Sequence, residues 1–262
     1  MYEAIAMDKT TLKQIKGNLK PCMKAAGFKT EGQWYVRVTN RQICQIINFQ
    51  GFSGGDCFTV NIGIYPLCAE EITNYKYHNL DIRIGMLMGK GDTWWNYTKE
   101  SADQVAQIIS ELVLPVLERC SSYEALLAVA DKDRIAKETD PLFAPLSVIS
   151  EHMWYGTLFY LSIAMGAYDK AAFYLEKQIA AQRDTAEENL KWYDLVISEA
   201  TTESAKADWL EKKEENLQFF QKKIDRLLAM KEQLKQGDWG GILDEIAQNE
   251  KAGLENLSKY VI

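Results

Sequence analysis

Phe58-Thr-Val-Asn-Ile-Gly-Ile-Tyr65 alternates, residue by residue, between a bulky apolar set and a second set of smaller or polar side chains. Successive side chains of a strand point to opposite faces, so this run predicts a β-strand with one apolar face. The same period of two recurs upstream in Trp34-Tyr-Val-Arg-Val-Thr39 and downstream in Leu80-Asp-Ile-Arg-Ile-Gly85. Between them, Gln42–Gln50 is rich in isoleucine but alternates less cleanly. Turn residues separate the runs and no long helix intervenes, which predicts a four-stranded antiparallel sheet with one buried face. The expected buried set is Trp34, Val36, Val38, Phe58, Val60, Ile62, Ile64, Leu80, Ile82 and Ile84.

Helical spacing flanks the sheet. Leu12, Ile15, Leu19 and Met23 form one stripe over about 9–26, with Gly27 as a stop. Ser101-Ala-Asp-Gln104 reads as a capping box opening a helix over about 101–119, which Pro115 should kink or split. Ser121-Ser-Tyr-Glu124 repeats the signature and opens a helix toward Ala136, and Pro141 and Pro145 then bracket a break. Everything after 146 reads helical. Thr185-Ala-Glu-Glu188 is expected to cap a helix with the stripe Ala186, Leu190, Tyr193, Ile197 and Ala200. The following helix, about 203–236, carries Leu210, Leu217 and Ile224 at one heptad position and Phe220, Leu227 and Leu234 at another, with Lys213 and Lys231 interrupting the seam. Two such helices with a short connection predict an antiparallel hairpin. The fold class is therefore α+β: a sheet domain over 1–140, then an all-α helical-hairpin domain over 146–262. Leu158, Gly166, Tyr168 and Ala171 fit part of a tetratricopeptide pattern, but it does not recur one period later, so no solenoid is expected.

Composition narrows the function. The 262 residues carry 30 basic and 37 acidic side chains, net −7, which argues against a general nucleic-acid binder, since such affinity rests on phosphate neutralisation. Most of the acidity lies after residue 140, a distribution that would steer a basic partner or simply keep a solvated face soluble. Five cysteines without a C-x-x-C pair read as free thiols in a reducing cytoplasm. No signal peptide is expected at the start, and the longest mostly apolar run, Met153 to Tyr168, is too short to cross a membrane.

No complete catalytic set is present. Gly51-Phe-Ser-Gly-Gly55 matches the G-x-S-x-G nucleophile elbow, but that device needs a strand feeding a helix, and here a second strand follows; a hairpin loop is expected. Gly85-Met-Leu-Met-Gly89-Lys90-Gly91 fails the phosphate-loop pattern in spacing and in the hydroxyl after the lysine. There are two histidines, His78 and His152. Glu70, Glu71, His78 and Asp81 are the nearest approach to a metal set, and no metal or cofactor is expected.

The polar side of the sheet offers a binding surface. Opposite the expected core lie Tyr35, Arg37, Thr59, Asn61, Tyr65, Asp81 and Arg83, with Asn48 and Gln50 joining if the register of their strand allows. Two guanidinium groups among amides and tyrosines suit an anionic ligand or a partner's acidic edge; an ordinary wet face, with an arginine paired to Asp81, is the alternative. Of the adjacent Trp94 and Trp95, one is expected to cap the core and the other to lie at the surface.

Gly27-Phe28, Trp34-Tyr-Val-Arg37, Ile46-Ile-Asn-Phe-Gln50, Phe58 to Tyr65, Ile82-Arg-Ile-Gly85 and Trp94-Trp95 occur in order. Together they resemble the bacterial "domain of unknown function 4304" family over about residues 10–125. The resemblance implies an α+β domain and singles out Arg37, Gln50, Asn61, Arg83 and Trp94, and it carries no activity with it. The resulting expectation is a cytoplasmic bacterial protein that binds another, basic, protein as a non-catalytic adaptor of antitoxin- or immunity-like type. Its expected site is Arg37, Asn48, Gln50, Asn61, Tyr65, Arg83, Trp94 and Trp95. The alternative is an enzyme or sensor for a small phosphorylated or carboxylated ligand on the same face.

Overall fold

The expected alternation does produce an antiparallel sheet, but neither of its faces is left to solvent throughout. In the computed structural model, residues 8–52, 55–69, 81–136 and 151–262 are described. They divide into two compact units, one made of Met1–Ile149 with Asp244–Ile262 and the other of Ser150–Leu243.

The first unit opens with helix α1 (Lys9–Ala25), whose Ile15, Leu19 and Met23 form a buried stripe. Asp8 caps its start by accepting the amide of Thr11 at 2.7 Å, and Gly27 ends it in a left-handed conformation, φ 78°. Strands β1 (Lys29–Glu31), β2 (Trp34–Thr39), β3 (Ile43–Gly51), β4 (Cys57–Pro66) and β5 (Asp81–Arg83) follow in spatial order, all antiparallel, and a two-residue β6 (Trp95–Asn96) pairs with the start of β4. Among the described residues the sheet thus has six strands where four were expected; β1 and β6 are too short to show a period. Strands β3 and β4 pair antiparallel on either side of the G-x-S-x-G stretch, and Phe52 N–H donates to Cys57 O there; Ser53 and Gly54 lie outside the described residues. The Gly85–Gly91 stretch holds a single helical turn, α2 (Ile84–Leu87), followed by Gly89 and Gly91 at positive φ.

The register corrects the expected core. Arg37 pairs with Gln45 and Val36 with Ile46, so even-numbered residues of β2 and β3 share a face. Ile46 pairs with Gly63 and Asn48 with Asn61, so that face continues through the odd-numbered residues of β4. Trp34, Val36 and Val38 therefore point away from Phe58, Val60, Ile62 and Ile64, and the apolar sets of the two strands build separate cores. On one side, Trp34, Val36, Val38, Cys44, Ile46, Tyr65 and Leu67 cluster with Leu257 and Tyr260. On the other, Phe58 and Trp95 pack together at 6.1 Å, and the covering elements are α3 (Lys99–Ile108), a π-helical turn (Ile109–Val113) and α4 (Leu114–Arg119).

The expected single helix over 101–119 is these three segments. Pro115 has no amide hydrogen for the ladder, and the wider π turn just before it absorbs the break. The cap lies three residues before the expected one: Thr98 Oγ1 accepts the Ser101 amide at 3.1 Å. Ser122 caps α5 (Tyr123–Ala136) through the amide of Ala125.

Residues 244–262 belong with the sheet rather than with the helical part in which they were expected. The last turns of α9 (Gly240–Asn256) and a 3₁₀ turn (Ser258–Tyr260) bring Leu257 and Tyr260 onto the sheet core. Val261 then bridges Val38 in parallel, and Ile262 N–H donates to Val38 O, using the edge of β2 that lies beyond its pairing with β1. Lys259 and Tyr260 both reach Glu31 on β1, and Lys29 donates to the carbonyl of Lys259.

The second unit contains α6 (Glu151–Ala164), α7 (Tyr168–Glu199) and α8 (Glu203–Lys235). Thr185 opens no helix; its hydroxyl donates to Ala181 O in the middle of α7. At 14 residues, α6 is about 21 Å long, against about 48 Å for the 32 residues of α7. A three-helix core therefore forms only along the inner part, where α7 buries Ala171, Tyr174, Leu175 and Ile179 and α8 buries Phe220, Ile224, Leu227 and Met230. Among the described residues, no helix is long and apolar enough to cross a membrane.

Candidate functional site

The expected recognition surface divides between the two faces of the sheet. Arg37 lies under the helices and is 3% exposed. Its Nε donates to Gln45 Oε1 at 2.7 Å, one terminal nitrogen to Ala26 O at 2.6 Å and the other to Glu118 at 3.1 Å, while the guanidinium stacks over Phe28. Gln45 in turn donates to the carbonyls of Leu117 and Cys120. Burial lowers the pKa of Arg37 and Glu118 opposes that shift. These bonds satisfy carbonyls at the C-terminal ends of α1 and α4, where helix dipoles favour a cation. Arg37 is a structural fastener, and it is withdrawn from the expected site.

Two other expected site residues separate in the same way. Trp95 is buried on the helix-covered face, with its indole donating to Gln104 at 3.2 Å. Tyr65 lies on the opposite face, but within the core that Leu257 and Tyr260 complete, with its ring over Gly63.

Asn48, Gln50, Asn61, Arg83 and Trp94 stay together. Register puts Trp34, Asn48, Asn61 and Arg83 in one row across four strands, with Gln50 and Thr59 in the next row. Gln50, whose face was ambiguous, thus joins the two asparagines. Asn61 Nδ2 donates to Asn48 Oδ1 at 3.3 Å and to Gln50 Oε1 at 2.8 Å. Asn48 is 2% exposed, and its own Nδ2 has no partner among the described residues. At the rim, Arg83 forms an ion pair with Asp92 and lies over the Trp94 ring, 4.9 Å from its centre; Phe52 meets the same ring edge-on at 5.3 Å. Asp92 and Phe52 were not among the expected site residues. The signals for them were an acid two residues before Trp94, directly after the glycine loop, and an aromatic beside the G-x-S-x-G serine.

A second candidate lies on the outer part of the α7–α8 hairpin, beyond the reach of α6. The two helices there meet along a mixed seam, in which Tyr193 packs against Trp209 at 6.3 Å, Lys213 donates to Asp194 at 2.6 Å and Asn216 Oδ1 is buried with no partner among the described residues. Trp192 packs edge-on against Trp209 at 5.7 Å, beside Tyr193. Trp192 (48%), Leu195 (55%), Leu210 (54%) and Leu217 (38%) remain exposed. Leu210 and Leu217 leave the expected seam because a straight helix drifts by about 20° per heptad. Residues 184–215 hold ten acidic and four basic side chains, net −6, nearly the whole charge of the chain.

Among the described residues, no three His, Cys, Asp or Glu side chains are grouped as metal ligands. His78, Glu70 and Glu71 lie outside the described residues. The described cysteines are free, and burial pushes the thiols of Cys44 and Cys68 well above the ordinary range, which leaves them poor nucleophiles.

No curated protein and no solved structure matches the chain. The resemblance expected over about 10–125 is found over residues 19–119, which match the family described as Domain of unknown function (DUF4304). From the latter part of α1 through α4, the sheet and the helices over one face of it are thus similar to that family.

Proposed function

We propose that this is a non-catalytic protein-binding adaptor of the bacterial cytoplasm, of antitoxin- or immunity-like type, and that the outer α7–α8 hairpin engages a basic partner. The observation that carries the reading is exposed Trp192, Leu195, Leu210 and Leu217 on a two-helix segment of net −6. Large apolar side chains held in water on a rigid element are what a partner's surface would desolvate, and the surrounding acids would steer a cationic one. The sheet unit supports the reading by what it uses its polar residues for: Arg37 and Gln45 tie helices to the sheet rather than facing a reacting group.

The test is affinity purification from bacterial lysate with three baits: wild type, Trp192→Ala/Leu195→Glu, and Arg83→Gln. A stoichiometric basic protein is expected with the wild type and Arg83→Gln baits, released by added salt and lost with the hairpin variant, whose helical circular dichroism should match wild type. Recovery of the bait alone, or the same captured protein with all three baits, would remove this reading.

A further inference from the structure

We infer that the amide cluster of Asn48, Gln50 and Asn61, with Arg83 at its rim, is a binding site for the oxyanion of a small ligand, a carboxylate or a phosphate. The hydrogen-bond inventory sets the sign. Asn61 Nδ2 donates to the side-chain oxygens of both Asn48 and Gln50, and the group of this cluster that is buried with no partner among the described residues is a donor, the Asn48 amide nitrogen. Asn48 Nδ2 is buried and unpaired, a condition that costs stability and rarely persists without a use. Arg83 adds a guanidinium two strands along the same row, at about 4.8 Å per strand.

The cluster already holds one carboxylate at its rim. Asp92 engages Arg83 through a single guanidinium nitrogen while Trp94 supports the flat side of the group. Asp92 shows what the fork accepts, and it competes for what a ligand would use. An anion seated between Arg83 and Asn48 would satisfy the orphan amide and charge-pair the guanidinium together. This site is independent of the hairpin, and either can fail alone.

Thermal unfolding of the full chain in inorganic phosphate and in succinate, each against chloride at matched ionic strength, tests the inference and separates the two sources. With the anion at tenfold its Kd, a rise of about 3–5 °C in Tm is expected for at least one of them. Phosphate stabilises most proteins by exclusion, so the readout is the difference from variants. Arg83→Gln and Asn48→Leu should each lose most of the rise, and Asn48→Leu should not lower the Tm in chloride. Asp92→Asn, by freeing the fork, should bind the active anion about two- to fivefold more tightly, the size of an exposed ion pair. If Asn48→Leu does not fold, Arg83→Gln and Asp92→Asn carry the test. No rise with either anion, or an equal rise in wild type and Arg83→Gln, would overturn the assignment.

Discussion

Arg37 and Arg83 look alike in sequence, each alternating with apolar residues in a predicted strand, and the structure gives them opposite duties. Among the described residues, Arg37 makes three hydrogen bonds in a buried setting, whereas Arg83 makes one rim ion pair. Arg37→Ala should therefore cost ~3 kcal/mol in urea unfolding, since it takes the donor from buried Gln45 Oε1 and from a helix-end carbonyl. Arg83→Gln should cost under ~1 kcal/mol. Equal losses would contradict the division. Buried acids that stay neutral give a second prediction at this scale. Burial raises Tyr35 from 10.0 to about 12 and raises Cys44 from 9.0, with a smaller opposing effect on Tyr35 from its bond to Thr30. A folded-state pKa above the unfolded one contributes stability that is complete below the unfolded pKa and is lost as pH rises through the folded one. The Tm should thus begin to fall above about pH 9 and fall further toward pH 12. Cys44→Val should soften the first part of the decline and Tyr35→Phe the part above about pH 10; superimposable profiles would refute the account.

Among the elements, helices were legible wherever one side was apolar and a stop was present. The stripe Ile15, Leu19, Met23 and the stop at Gly27 bound α1 as expected, and α8 runs over Glu203–Lys235 against an expected 203–236. Caps were less legible, because Ser and Thr recur at several plausible positions. Thr98 holds the Ser101 amide, so Thr98→Ala should destabilise by ~1 kcal/mol while Ser101→Ala stays within ~0.5 kcal/mol, read by thermal melts. Thr185 shows the converse: its hydroxyl has a helical carbonyl within reach at Ala181, and no helix starts there. Of the site, the grouping of Asn61 and Arg83 could be read from alternation, and the exclusion of Arg37 could not. Strand β2 alternates as cleanly as β4, and nothing within either run says that their apolar sides point in opposite directions.

At the scale of the molecule, the chain leaves the sheet unit, forms residues 150–243 as a separate unit, and returns to finish the first. The return is structural. Leu257 and Tyr260 are almost fully buried against Trp34, Val36 and Val38, and Leu257→Ala should cost about 2–5 kcal/mol. Ending the chain at residue 243 should uncover that core and give a protein that aggregates or binds a hydrophobic dye. Replacing 150–243 by a Gly/Ser linker of about 20 residues should leave a soluble sheet unit with a cooperative melt. The opposite pair of outcomes would refute the division into units. By itself the sequence determined four of the six described strands, most helix limits, the acidity of the hairpin and the absence of a complete catalytic motif, because each of these rests on neighbours within a few turns or residues. Only the tertiary structure decided which alternating set faces which core and where the last residues belong. The pairing of Ile46 with Gly63 fixes the parity of a whole face, and the bridge from Val261 to Val38 joins residues more than two hundred positions apart.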